Sequence, residues 1–155
     1  GIQSPIDYEF VRYVVNEHCR YYAYSHLGMD DNWLRKKLGR LYFRVANWRQ
    51  PTVVESDDYH EYIRGACKNV SFGDSSEMLI ISLNSDGGQK IPHIYNKVND
   101  KTVLIVEGIH ADKHSSALWK QLISDERSGV AFDLYYCGIV FFDTKRYKRV
   151  YIINF

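Results

Sequence analysis

The amino-acid sequence predicts an α+β fold in which a helical N-terminal half packs on a mixed or antiparallel C-terminal sheet that ends in a hairpin. Two observations lead to this prediction. Between residues 6 and 70 apolar side chains recur at helical spacing, whereas after Ser71 they form short runs separated by turn-forming residues. The predicted order of elements is α-α-α-β-(β)-β-α-β-β, in which the strand in brackets is optional.

Three helices are predicted in the first half of the chain. Residues 6–27 contain no Gly or Pro and are followed by Gly28, which is typical of a helix with a glycine stop. A second helix is predicted from apolar residues whose 4-3-4-3 spacing aligns them on one stripe. These residues are Leu34, Leu38, Leu41, Val45 and Trp48. The second helix is predicted to end before Pro51. A shorter third helix is predicted near residues 57–68.

The second half is predicted to be rich in strands and to contain one helix. Residues 77–83 and 102–106 are short apolar runs closed by turn-forming residues, which favours buried strands. Residues 112–124 carry apolar side chains at helical spacing, which predicts a helix between the later strands.

The C-terminal hairpin is predicted from two runs that are rich in β-branched and aromatic residues, 130–143 and 149–155. A polar, basic stretch separates them, as the turn of a hairpin would. Gly138 predicts a bend in the first of these strands. A length of 155 residues without repeats suits one ordinary domain, so residues 1–155 are predicted to fold as a single domain.

Cysteine usage and the distribution of apolar residues indicate the compartment. Cys19, Cys67 and Cys137 are odd in number, lie far apart and form no CxxC pair, so neither a disulfide framework nor a zinc ribbon is predicted. The chain shows no basic-then-apolar leader, and its apolar runs are far shorter than the roughly 20 residues that cross a bilayer. These features predict a cytoplasmic protein that does not contact a membrane.

The charge distribution is uneven around the second predicted helix. Six basic residues and no acid lie between Asn32 and Val54, and the next eight residues hold four acids. On a helical wheel, four of the cations fall to one side of the apolar stripe, namely Lys36, Lys37, Arg40 and Arg44. Clustered cations of this kind bind nucleic-acid phosphates or an acidic protein surface. Alternatively, the acidic segment folds back and neutralises them.

A second basic cluster lies in the predicted hairpin turn, at Lys145, Arg146, Lys148 and Arg149 around Tyr147. A basic tip with an aromatic ring can contact nucleic acid. Such tips can also be plain solvated turns. We count Lys145, Arg146 and Lys148 among the candidate binding residues.

The segment "TVLIVEGIHADKHSSALWKQLI", residues 102–123, permits two interpretations. A strand that ends in Glu107-Gly108 and continues into a helix can place Glu107 as an acid/base group or a metal ligand, with His110 and His114 on one helix face if the helix begins early enough. In the simpler interpretation, Gly108 forms a turn, Asp112 caps the helix and His110 lies in the loop. The sequence favours the second interpretation, and Glu107 is the residue most worth testing.

Asp133, followed ten residues later by Asp143-Thr144-Lys145, resembles the PD-(D/E)xK nuclease motif. The resemblance implies that Asp133 and Asp143 would hold Mg²⁺ and that Lys145 would orient or activate water, with Glu77 or Glu107 as a further ligand. The stretch 143–148 also resembles a hairpin turn, whereas the nuclease motif lies within a strand.

The main hypothesis is a small binding or regulatory domain that engages an acidic protein or a nucleic acid through the basic helix. It requires no metal or other cofactor. The alternative is a Mg²⁺-dependent phosphodiester hydrolase that uses Asp133, Asp143 and Lys145, and a third possibility is a structural part of a larger polypeptide. The sequence leaves open whether the protein is an enzyme, which partner it binds and its oligomeric state.

Overall fold

A computed structural model describes residues 2, 4–17 and 21–155, with the backbone alone for Tyr22. Tertiary contacts group the chain into two compact units. The first comprises Gly1–Thr52, Asp58–Ser71 and Phe155, and the second comprises Val53–Asp57 and Phe72–Asn154. The α+β class is confirmed, because the helices are mostly N-terminal and a mixed sheet occupies the C-terminal part.

The first unit is helical. Its α-helices are α1 (Pro5–Phe10), α2 (Trp33–Arg49) and α3 (His60–Ala66). A π-helical turn, Val11–Val15, continues α1, and a 3-10 helix spans Tyr22–Ser25. The prediction of one continuous helix over residues 6–27 is therefore wrong for the residues of that range that the structure describes. Residues 18–20 are not among the described residues.

A side chain from another element binds the last carbonyl groups of the first helix. The carbonyl groups at the end of a helix have no amide partner within it. Instead, Nε of Arg44 donates to the Val14 carbonyl at 2.7 Å, and Nη2 donates to the Val15 carbonyl at 3.0 Å. The helix is thus capped from another element, which no local sequence signal announces.

The prediction of α2 is confirmed. Its N-cap is Asn32, whose side chain accepts the amide of Arg35 at 2.9 Å, and it ends at Gln50 in the left-handed conformation, directly before Pro51. The predicted apolar stripe faces the interior at Leu38, Leu41 and Val45, which are buried. The third helix, α3, begins at His60 rather than near residue 57, after Tyr59 at φ 63°.

Seven strands form one sheet in the order β2-β1-β3-β4-β6-β5-β7. They are β1 (Val53–Glu55), β2 (Ser71–Phe72), β3 (Met78–Ser82), β4 (Val103–Glu107), β5 (Ala131–Asp133), β6 (Cys137–Phe141) and β7 (Val150–Ile152). Strands β1, β3 and β4 are parallel, β6 is antiparallel to β4 and β5, and β7 is parallel to β5.

The predicted strands at 77–83 and 102–106 are confirmed as β3 and β4. Strands β1 and β2 were not predicted, since two or three residues are too few to show a period of two. The optional strand between β3 and β4 is instead a 3-10 segment, Asp86–Asn96. The helix predicted at 112–124 is α4, Lys113–Ser124.

The hairpin predicted between the runs 130–143 and 149–155 does not form, and a hairpin within the first run takes its place. The run 130–143 divides at Leu134–Tyr136, where the Asp133 carboxylate accepts the amide of Tyr135 at 2.9 Å and Tyr135 adopts φ 72°. Strands β5 and β6 on either side of this turn pair antiparallel, and β7 then joins β5. The prediction of a bend at Gly138 is wrong, because Gly138 lies in the regular strand β6 and pairs with Val106 of β4.

The core of the second unit lies between the sheet and α4. Trp119 of α4 is fully buried, and a Cβ at Gly138 would lie 2.2 Å from its ring. The cluster also includes Leu79, Leu104, Ile109, Leu122 and Val140. None of the helices in the described part of the chain has the length and apolar character needed to cross a membrane.

Candidate functional site

The four cations predicted on α2 line one groove of the first unit, which we call the α2 groove. Its volume is about 310 Å³. It is lined by Val15, Asn16, Glu17, Trp33, Lys36, Lys37, Arg40, Arg44 and Phe155. The structure therefore brings together the cations that helical spacing placed on one side of the apolar stripe, and it adds two aromatic rings to them.

Arg44 forms the floor of the α2 groove rather than its solvated rim. Only 8% of the residue is exposed, because Nε and Nη2 donate to the carbonyls that end the first helix. Nη1 lies 3.4 Å from the hydroxyl of Tyr24. The positive charge of Arg44 reaches the groove, while most of its donors are occupied by the fold.

Lys37 lies between two aromatic rings of the α2 groove. Its ammonium is 5.5 Å from the ring centre of Trp33 and 4.3 Å from that of Phe155. Burial, and then the nearby charge of Arg44, lower the pKa of Lys37. A negative group entering the groove would offset the repulsion between these two cations.

Arg40 presents a donor with no partner. Its Nε is buried and makes no hydrogen bond to any residue that the structure describes. Its guanidinium lies over the ring of Tyr24, with the central carbon 5.0 Å from the ring centre. A buried guanidinium nitrogen without an acceptor is costly, and because this atom is out of reach of solvent the cost is carried by the fold itself.

The acidic segment neutralises only part of the basic stretch. Arg35 makes two 2.7 Å hydrogen bonds to the carboxylate of Asp58 and a 3.1 Å contact with Asp31, and these bonds from Arg35 lower the pKa of Asp58. Within the described ranges, Lys36, Lys37 and Arg40 form no ion pair. The lining also contains one acid, Glu17, which has a contact of its own.

A cleft of the second unit also contains cations, but they are paired. It has a volume of about 550 Å³ and is lined by Glu55, Asp86, Gln89, Lys90, His93, Ile94 and Lys97. Lys97 contacts both Glu55 and Asp74, and Lys90 lies 3.7 Å from Asp57. Since the positive charges are matched by carboxylates, this cleft has less need of an anionic ligand than the α2 groove.

The segment from Glu107 to α4 is a strand, a turn and a capped helix, as the simpler interpretation predicts. Gly108 has φ 77°, and the Asp112 carboxylate accepts the Ser115 amide at 2.7 Å as the N-cap of α4. His110 lies in the loop, whereas His114 is in the first turn of the helix.

His110 pairs with Asp133, a contact that sequence reasoning missed. Nε2 of His110 is 2.8 Å from a carboxylate oxygen of Asp133, and the imidazole stacks on Tyr135 with ring centres 5.4 Å apart. Strand pairing creates this contact. Strand β6 lies between β4 and β5, so that Glu107 at the end of β4 and Asp133 at the end of β5 lie at the same end of the sheet, and His110 follows Glu107 in the next loop. Across the residues described, no three His, Cys, Asp or Glu side chains are placed to hold a metal.

The strand register separates the residues of the nuclease motif. Asp133 pairs with Gly138 near the start of β6. Asp143 comes two residues after Phe141, which ends β6 and pairs with Val103 at the other end of β4. At roughly 3.3 Å per residue, the five residues from Gly138 to Asp143 span about 16 Å. Asp133 and Asp143 therefore lie at opposite ends of the strands.

Lys145 and its neighbours form an exposed turn. The Asp143 carboxylate accepts the amide of Lys145 at 3.1 Å, which is the geometry of a turn rather than of a catalytic pair. Lys148 donates to the carbonyl of Asp125. Arg149 lies over the ring of Tyr147, and Arg146 has a contact of its own. These cations belong to the second unit, whereas those of the α2 groove belong to the first.

Comparisons with models of protein families, with curated proteins and with solved structures gave no match to this chain.

Proposed function

We propose that the protein is a binding module that holds an anionic partner, a single-stranded nucleic acid, in the α2 groove. The observation that carries the proposal is the set of cations on α2 that lack a carboxylate partner: Lys36, Lys37 and Arg40 line a concave surface and form no ion pair within the described chain. Clustered cations gain free energy when a polyanion releases its counterions on binding.

The aromatic rings favour nucleic acid over an acidic protein surface. Trp33 is exposed and lies beside Lys37, so a base could stack on the indole while its phosphate contacts the ammonium. Proteins that bind single strands combine a basic groove with such stacking rings. A volume of about 310 Å³ is also at the small end of ligand pockets and suits a nucleotide, whereas an acidic protein surface needs a flatter and larger patch.

The lowered pKa of Lys37 supports the same proposal. Burial is its main cause and the nearby charge of Arg44 is the second, so the ammonium is partly desolvated beside another cation. A phosphate group supplies a negative charge, so it would offset the repulsion between Lys37 and Arg44.

Charge reversal at Lys36→Glu with Lys37→Glu tests the proposal. Binding of a fluorescein-labelled oligothymidine should weaken, and the slope of log K against log salt should become shallower by about 0.7 for each phosphate that the variant no longer neutralises. Arg44 is left intact because it is buried. Circular dichroism should show an unchanged fold, since surface changes usually alter stability by about 0.5 kcal/mol or less.

The matched control is Lys113→Glu with Lys120→Glu, which changes the net charge equally on exposed positions of α4. This control should bind the oligonucleotide like the wild type. Equal loss of binding in both double variants would mean that only the net charge matters, and unchanged binding in both would reject the proposal. If polyglutamate binds in the α2 groove and the oligonucleotide does not, the partner is an acidic protein surface.

A further inference from the structure

Strand β7 ends the sheet order, so one of its edges has no neighbouring strand in the described part of the chain. On the other edge, the Arg149 carbonyl accepts the Ala131 amide and the Ile153 amide donates to the Asp133 carbonyl, each at 2.9 Å. Backbone groups of a parallel strand alternate in direction, and residues 149, 151 and 153 face β5. The N–H and C=O groups of Val150 and Ile152 therefore point outwards. We call these two residues the β7 edge.

The side chains of the β7 edge are also apolar and exposed. Ile152 is 82% exposed and Val150 is 44% exposed. Proteins protect edge strands by keeping them short or by placing charged residues or Pro in them, because an open apolar edge pairs with other chains. Strand β7 is short, at three residues, but Val150–Ile152 contains no charged residue and no Pro. Its exposure thus suggests a surface that another strand covers.

The charges beside the β7 edge indicate what that strand would carry. Between Thr144 and Phe155 there are four basic residues and no acid. They are Lys145, Arg146, Lys148 and Arg149, directly before the strand. A segment with acidic residues next to alternating apolar ones would match both the charges and the exposed side chains.

We propose that the β7 edge binds an extended acidic segment of a partner protein, which adds to the sheet as an eighth strand. The main-chain groups of Val150 and Ile152 would bond the added strand, Ile152 would contact its apolar side chains, and the basic residues before β7 would contact its acids. A second copy of this chain is a poorer match, because its own residues 144–155 carry the same four positive charges and no acid. This proposal uses other residues than the α2 groove and stands independently of it.

The probe is a fluorescein-labelled peptide with an alternating Ile-Thr core. It carries acidic residues at both ends, so that it can pair with β7 in either the parallel or the antiparallel direction. The full chain should bind it, and Ile152→Lys and Val150→Pro should each weaken binding about tenfold or more. Val150→Pro removes an outward N–H and leaves the β5 pairing intact. Hydrogen exchange should show that the amides of Val150 and Ile152 become protected when the peptide binds.

The matched control is Ile6→Lys, the same change at an exposed apolar position of α1, and it should bind the peptide like the wild type. A peptide with Lys in place of the acids should not bind. The proposal is overturned if wild type and Ile152→Lys bind equally, if the lysine peptide binds as well, or if no peptide binds. It is also overturned if sedimentation shows a dimer that Ile152→Lys dissociates. If Val150→Pro does not fold, the comparison of Ile152→Lys with the wild type tests the proposal by itself.

Discussion

Arg44 shows that residues of one type on one helix face can have different roles. Arg40 and Arg44 lie one helical turn apart and both line the α2 groove. Arg40 keeps a buried Nε without a partner in the described residues, whereas Arg44 donates to the carbonyls of Val14 and Val15. A helical wheel places both arginines correctly but does not distinguish them, because the acceptors come from another segment.

Arg44→Met should destabilise the protein by about 3 kcal/mol, since two buried carbonyl groups would lose their donors at roughly 1–3 kcal/mol each. Urea unfolding measures the change. Lys36→Met is the matched control and should change the unfolding free energy by about 0.5 kcal/mol or less. Equal effects of the two substitutions would show that Arg44 is a solvated cation and not a helix cap.

At the scale of elements, the contact of α4 with β6 explains why a glycine occurs inside a buried strand. Gly138 lies in β6 and pairs with Val106 of β4, and its missing Cβ leaves room for the ring of Trp119. Glycine within a strand often marks such a close approach rather than a bend. Pattern reasoning identified Gly138 as unusual but assigned it the wrong role, because Trp119 lies on a different element.

Gly138→Ala should therefore lower the unfolding free energy by about 1–3 kcal/mol, the usual cost of overpacking a close-packed core. Thermal and urea unfolding would report it. Gly73→Ala provides the comparison, because nothing lies within 4 Å of a Cβ built there. If the two alanine variants have the same stability, the fit of Trp119 against β6 is not tight.

At the scale of the whole molecule, the sheet register sets the distance between the carboxylates of the hydrolase hypothesis. The register places Asp133 and Asp143 at opposite ends of the strands, while Lys36, Lys37, Arg40 and Arg44 line one groove. A phosphodiester hydrolase needs its carboxylates within reach of one metal ion. The geometry therefore favours binding through the α2 groove over hydrolysis through Asp133, Asp143 and Lys145.

Millimolar Mg²⁺ should leave the melting temperatures of the wild type and of Asp143→Ala unchanged, because a ligand stabilises only a fold that binds it. Differential scanning fluorimetry with and without the metal is the measurement. A rise in the wild type that Asp143→Ala abolishes, together with cleavage of DNA or RNA, would restore the hydrolase hypothesis.

The sequence by itself determined the elements whose signal is local. The helices α2 and α4 and the strands β3 and β4 have a period, a cap or closing turn residues within their own segments. The cluster of cations on one side of α2 follows from helical spacing for the same reason.

Only the tertiary structure decided the features that depend on distant partners. Strands β1 and β2 are too short to show a period, and β7 pairs with β5 rather than with the strand directly before it. The α2 groove includes Phe155, over a hundred residues from Lys37 in sequence. The burial of Arg44 and the His110–Asp133 pair arise in the same way, because hydrogen-bond partners from separate elements meet only when the chain has folded.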